Sequence, residues 1–280
     1  MGMTSRIIAI AGRVRGLGAA FAVALLLLAS NQAGAANDGL RDTAPYSARG
    51  EKWVDKTRKT LHKLPKEIGV SEMIKIGAPA YYHIRNLVER GESFNVSPGL
   101  VAGELSKVVE YGGADLRFVN EGERYAKNTL RKAASYLPTK VIQRIPELDA
   151  RTVIGRGWFR QYASGRAVIN INDVKISLHE LGHALEHSSV HLLRLRKEIY
   201  ENVTRGEGLR RLNTFHLPFG YGRGEKYRAG FVSRYMGKEG GVEVYSCGIE
   251  YVFFNRFDIW HRDPDVTKFI LGSLIFYGKS

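Results

Sequence analysis

His179-Glu180-Leu181-Gly182-His183 reads on through Ala184-Leu185-Glu186-His187 as one helix with an apolar back. Residues four apart share a helix face, so His179 and His183 can turn ring nitrogens toward one metal ion. Glu180, one step on, leans over the same ion as a general base. Leu181, Ala184 and Leu185 supply the buried side, and Gly182 is expected to leave space over the metal. This donor set suits a single zinc ion.

Working outward, the residues before this helix have a period of two. Thr152-Val153-Ile154, Trp158-Phe159 and Ala167-Val168-Ile169-Asn170-Ile171 predict two or three short strands, with a turn at Ala163-Ser164-Gly165. A short antiparallel sheet is therefore expected beside the metal helix, with 158–166 as an edge that could bind an extended peptide by strand addition. The helix itself is predicted over about 174–200, with a break near Ser188-Ser189. His187 and His191 continue the spacing of four, but each such step rotates by about 40°, which carries His191 about 120° from His179. Neither is expected to ligate, and His187 is expected to support the site or lie at the surface.

A catalytic zinc needs a third protein ligand from another direction. Glu186 lies on the same helix about 10 Å along its axis, too far to close a tetrahedron. Glu243 instead opens a separate apolar helix, Val242-Glu243-Val244-Tyr245-Ser246-Cys247-Gly248-Ile249-Glu250-Tyr251, which can pack across the first. Glu250, seven residues on and on the same face, could accept a hydrogen bond from a ligating histidine. Cys247 reads either as a small buried side chain or as a thiol reaching the metal.

His-Glu-x-x-His followed by a downstream Glu on a second helix resembles the gluzincin class of zinc metallopeptidases. Glu243-Val-Tyr-Ser246 is similar to the Glu-x-x-Ser element of the thermolysin-like branch. Ser233-Arg234-Tyr235 is similar to the Ser-x-Tyr of the lethal-factor-like branch, and there is likeness to zincin modules of phage-associated and toxin-type proteins. The resemblance covers about 151–250 and implies peptide hydrolysis, with His179, His183 and Glu243 as ligands, Glu180 as base and Tyr235 supporting the oxyanion; His187, Tyr245 and Arg234 are further candidates for that last role. It departs from the thermolysin-like pattern at Cys247, where an Asp would support a histidine ligand.

Upstream, helical patterns occupy 51–66, 71–90, 97–111, 121–136 and 139–145, the third with Ser97 as its cap and Pro98 in the first turn. Downstream, 206–228 has loop composition, and Leu217 to Gly224 could border a cleft. A final apolar helix is expected over 265–277. The fold class is α+β, mainly helical, with a zincin-like core. The chain divides into a signal peptide at 1–35, a mobile leader at 36–50, a helical region at 51–145 and a catalytic region at 146–280.

The signal peptide rests on Arg6, Arg13 and Arg15, the apolar run 21–29 and the small residues Ala33-Gly34-Ala35. It implies export to the periplasm or the exterior. Removing its three arginines brings the formal charge from +14 to +11. That excess favours an anionic envelope polymer or membrane surface as surroundings, beside a peptide or protein substrate. Nucleic acid is not expected, since no finger, RNA-binding aromatic signature or basic heptad helix is present. The single cysteine excludes an internal disulfide. The competing functional reading is a zinc-stabilised envelope module without hydrolytic activity.

Overall fold

The computed structural model describes residues 49–93, 95–119, 123–154, 157–163, 166–212 and 225–279. The predicted signal peptide, nearly all of the leader and the loop Leu217 to Gly224 lie outside the described residues. Among the described residues five helices come first: α1 (Arg49–Leu61), α2 (Val70–Glu89), α3 (Pro98–Leu105), α4 (Arg124–Ala134) and the single turn α5 (Thr139–Ile142). Ser97 caps α3 by accepting the Leu100 amide at 3.3 Å, with Pro98 in the first turn as expected. Among the described residues no helix is long and apolar enough to cross a membrane.

Three strands follow, β1 (Leu148–Thr152), β2 (Trp158–Gln161) and β3 (Ala167–Ile171), in the order β1-β3-β2. The sheet is mixed rather than antiparallel, because β3 pairs antiparallel with β2 but parallel with β1. The cause is topological. The chain leaves β1 for the far edge, where it forms β2, and the β2–β3 hairpin then returns it into the gap. A hairpin reverses direction, so the central strand must run parallel to β1. β1 also begins earlier than its alternation suggested, since Leu148, Asp149 and Ala150 are all buried. Phe118 bridges to Leu148 on the outer side of β1. The far edge of the sheet is β2.

The helix read from the histidines is two helices, α6 (Val174–His187) and α7 (Val190–Val203). Asp173 caps α6 by accepting the Ile176 amide at 2.7 Å, and Ser189, in an extended conformation, caps α7 through the Leu192 amide. The predicted break at Ser188-Ser189 is thus a helix end followed by a new cap. A two-stranded ladder, β4 (Arg210–Arg211) and β5 (Lys226–Tyr227), precedes α8 (Val244–Phe254), α9 (Ile259–Arg262) and α10 (Pro264–Lys279).

α10 is the central rod, buried at nearly every position from Val266 to Gly278. It crosses α2 at Gly77 and Gly272. A Cβ on Gly77 would lie 1.8 Å from the Lys268 carbonyl oxygen, and one on Gly272 would lie 1.9 Å from that of Met73. Only hydrogen fits at both positions, so the two backbones touch. Tyr81 on α2 stacks on Trp260 of α9, and its hydroxyl donates to the Trp260 carbonyl at 2.6 Å. One hydrophobic core runs from Trp53 to Tyr277, so the regions 51–145 and 146–280 bury their apolar faces together.

Candidate metal centre

α6 buries Leu178, Leu181, Ala184 and Leu185 and turns His179 and His183 the other way, their ring centroids 5.0 Å apart. α8 supplies the facing wall. Its residues Val244 to Phe253 are buried throughout, so it inserts between α6 and α10 rather than lying on the surface. Gly182 serves this crossing and not an opening over the metal. A Cβ there would stand 2.7 Å from the Cα of Ser246 on α8, so the glycine allows the two helices to approach.

The approach brings Glu243, the residue just before α8, to the histidines. Its Oε2 lies 3.1 Å from Nε2 of His183 and 3.4 Å from Nε2 of His179. The opposite ring nitrogens are held from behind. His179 Nδ1 is 3.1 Å from Glu250 Oε2, and His183 Nδ1 is 3.3 Å from Glu186 Oε2. Glu250 is anchored in turn by Arg256 at 2.6 Å, with Lys175 at 3.7 Å, and Glu186 by Arg196 at 3.7 Å. Both Nε2 atoms are thereby aimed at one carboxylate oxygen, the arrangement in which outer carboxylates fix the tautomer of ligating imidazoles.

These residues fit a metal ion. Ligand atoms of His179, Glu180 and His183 lie within 4.8 Å of one another, as do those of His179, Glu243 and Cys247. Donors at bonds of about 2.0–2.2 Å around a tetrahedral ion stand about 3.3–3.6 Å apart, close to the two Nε2 to Oε2 spacings. The protons are placed accordingly. Burial opposes a charge on Glu243, but the two imidazoles outweigh it and hold the carboxyl well below its ordinary range. Burial likewise opposes a proton on His183, yet Glu186 and Glu243 raise its pKa to about 9. For His179 burial is outweighed by Cys247, Glu243 and Glu250, and the pKa rises well above 6.5. The raised histidine values and the lowered Glu243 value both mark a place that favours positive charge.

Glu180 is buried beside the histidines, and a Cβ on Gly157 would come within 3.2 Å of its Oε1. Gly157 leads into β2, so the sheet edge adjoins the proposed base. Tyr235 also reaches the centre, its hydroxyl donating to Glu243 Oε1 at 2.6 Å and its ring stacked at 6.2 Å from that of His179. Lys238 Nζ lies 3.6 Å from the same oxygen. Cys247 is fully buried, and burial pushes its thiol up to about 11. His187 is exposed and packs on Phe159, with ring centroids 5.5 Å apart. His191 turns away, donating from Nε2 to the Ile68 carbonyl at 2.8 Å and accepting from Tyr277 at Nδ1.

The five residues expected as ligands and catalytic groups, His179, Glu180, His183, Tyr235 and Glu243, lie together here, whereas Tyr245 pairs with Ser273 in the core and Arg234 lies over Tyr227. Glu186, set aside as a ligand, appears as the carboxylate behind His183, and its spacing of three from that histidine was a usable signal. Gly157 and Lys238 carried no recognisable motif. Compared with models of protein families, with curated proteins and with solved structures, the chain matches none.

Proposed function

We propose that the chain is an exported, zinc-dependent peptidase with a gluzincin-like, zincin-type centre. The observation that supports this best is the convergence of His179 Nε2 and His183 Nε2 on Glu243 Oε2, with carboxylates behind both rings and Glu180 alongside. His179, His183 and Glu243 would hold one zinc ion, which when bound lowers the pKa of a water and polarises a peptide carbonyl. Glu180 takes the proton of the attacking water and passes it to the leaving amine. Tyr235, a hydroxyl donor within the centre, turns to the developing oxyanion. The outer edge of β2 receives the substrate backbone as an added strand, which lays the scissile bond near Glu180. The net positive charge suits work at an anionic envelope polymer or membrane surface.

Glu180→Gln tests the assignment. It is expected to bind zinc as the parent does and to lose roughly 100-fold or more in chelator-sensitive cleavage of a peptide library. A variant that cleaves as fast as the parent would refute the mechanism.

A second reading is favoured by one observation, the position of the Cys247 ligand atom within 4.8 Å of those of His179 and Glu243. A thiolate there would add a fourth protein donor and close the site, as in structural zinc centres. Cobalt substitution separates the two, since a sulfur-to-metal charge-transfer band that vanishes in Cys247→Ser marks the closed site.

A further inference from the structure

The sheet has one face in the core and one outside it. Leu148, Ala150, Ala167, Ile169 and Ile171 point inward and belong to the hydrophobic core, with Phe159 packed against it. By alternation the other face carries Asp149 and Arg151 on β1, Val168 and Asn170 on β3, and Trp158 and Arg160 on β2. The register sets Arg151, Asn170 and Trp158 in one row, and Asp149, Val168 and Arg160 in the next. Tyr162 and Arg166 extend the pattern, joined by the Tyr162 amide donating to the Arg166 carbonyl at 2.8 Å. Val168, although buried, stands apart from the core.

This outer face is cationic and aromatic. Asp149 is fully buried and binds both Arg151, at 2.7 Å, and Arg166, each of which keeps half of its side chain in solvent. One carboxylate thus orients two guanidinium groups and neutralises one. Glu123 stands at the end of β1, accepting the Thr152 amide. Arg160 has no carboxylate partner among the described residues, and its guanidinium lies 6.0 Å from the rings of both Trp158 and Tyr162. Those rings are 41% and 43% exposed. Between Trp158 and Arg151 sits Asn170, only 6% exposed, whose Nδ2 has no hydrogen-bond partner among the described residues. A buried amide donor without an acceptor is costly, and one within this cationic row suits an oxygen from a ligand.

We infer that this face selects acidic side chains of an extended peptide lying along β2. The inference rests on the peptidase reading and names its substrate class. A strand added at the β2 edge points every second side chain to this face, about 6.6–6.8 Å apart, matching the rise from Trp158 to Arg160 and from Arg160 to Tyr162. Carboxylates at those positions meet the Arg160 guanidinium, which binds such groups in a planar, two-point manner, while the flanking rings cover the alkyl stems. Gly157, the residue just before this strand, lies beside Glu180, so a segment paired along β2 runs past the base. Arg160 is a specificity residue, acting on binding and not on the chemistry.

The test uses the zinc-loaded, full-length Glu180→Gln protein, so that binding is read without turnover. Fluorescence anisotropy compares a peptide with glutamate at alternate positions against its glutamine counterpart, with linear polyphosphate as a non-peptide polyanion. The acidic peptide is expected to bind more tightly, with a preference that shrinks as salt rises. Arg160→Gln, at an exposed site, is expected to weaken it about fivefold and leave the glutamine peptide unchanged. Arg160→Lys keeps part of the preference. Equal binding of the two peptides, no effect of Arg160→Gln, or tighter binding of polyphosphate with the same arginine dependence would each overturn the inference. Cleavage of neither peptide by the parent protein, with acid-selective binding intact, would instead count against the peptidase reading.

Discussion

A Cβ on Gly182 would stand 2.7 Å from the Cα of Ser246, closer than real Cβ atoms come to another carbon. α6 carries the histidines and α8 is led by Glu243, so this contact sets the separation between the two halves of the centre. Gly182→Ala is expected to push the helices apart by a few tenths of an ångström or more. The overpacking costs about 1–3 kcal/mol, and the metal is bound more weakly because Glu243 no longer reaches both rings. Thermal unfolding with and without added zinc checks both parts. A variant that melts lower but gains as much from zinc as the parent would show that the crossing does not position the ligands.

Glu250 illustrates how far the supporting shell extends. It touches His179, and is itself held by Arg256 and Lys175, so its carboxylate relays a fixed orientation to a ring nitrogen. Glu250→Gln keeps the shape and one acceptor oxygen but removes the charge. Zinc affinity, read by competition with a chromophoric chelator, is expected to fall about 10–100-fold. The same measurement on Arg256→Gln should give a smaller loss, since Lys175 still faces Glu250.

Metal uptake is expected to depend on pH in a fixed sense. His183 has its pKa raised to about 9 in the metal-free centre, so at neutral pH a cation must displace its proton. Apparent zinc affinity therefore climbs as pH rises from 6 toward 9, about tenfold per unit for each proton released. The sign for folding is opposite. A raised pKa adds stability to the metal-free chain that is complete below about 6.5, the value for an unfolded histidine, and is lost as pH passes through about 9. Titration calorimetry in buffers of different ionisation heat counts the protons released, and denaturant melts of the metal-free protein follow the second effect.

The centre was readable in the sequence where one element carries several of its parts. His179, Glu180 and His183 follow from helical spacing alone, and the separate apolar stretch after Glu243 has enough continuous hydrophobicity to mark a buried helix. What spacing could not give is the meeting of elements. Gly182 looked like an opening beside the metal because the helix that fills the space, Val244–Phe254, lies far downstream in the sequence. The sheet looked antiparallel because period two reports which residues face the core and not the order in which strands pair. α2 meets α10 through two glycines, Gly77 and Gly272, that stand in no local motif at all.

That last crossing ties the stability of the centre to residues far from it in the chain. A Cβ on Gly272 would lie 1.9 Å from the Met73 carbonyl oxygen, a backbone atom that cannot rotate away. Gly272→Ala is expected to cost about 3 kcal/mol or more, beyond the usual range for a single added methyl group. Because α8 packs between α6 and α10, zinc binding should weaken together with the fold. Gly103→Ala is the control, since nothing lies within 4 Å of a Cβ placed there.

Tyr235 offers the sharpest division of roles within the centre. Its hydroxyl donates to Glu243 Oε1 at 2.6 Å, while Glu243 Oε2 faces the two histidines. Two duties predict two signatures. As a group that orients the ligand carboxylate, its removal weakens zinc binding, and Lys238 at 3.6 Å from the same oxygen limits the loss to about tenfold. As an oxyanion donor, its removal lowers kcat about 100-fold or more with the metal saturated. Tyr235→Phe keeps the stacking on His179, so packing stays constant in the comparison. Measured at zinc concentrations well above the weakened dissociation constant, the variant is expected to show the full fall in kcat. Recovery of parental kcat on saturation would confine Tyr235 to positioning Glu243.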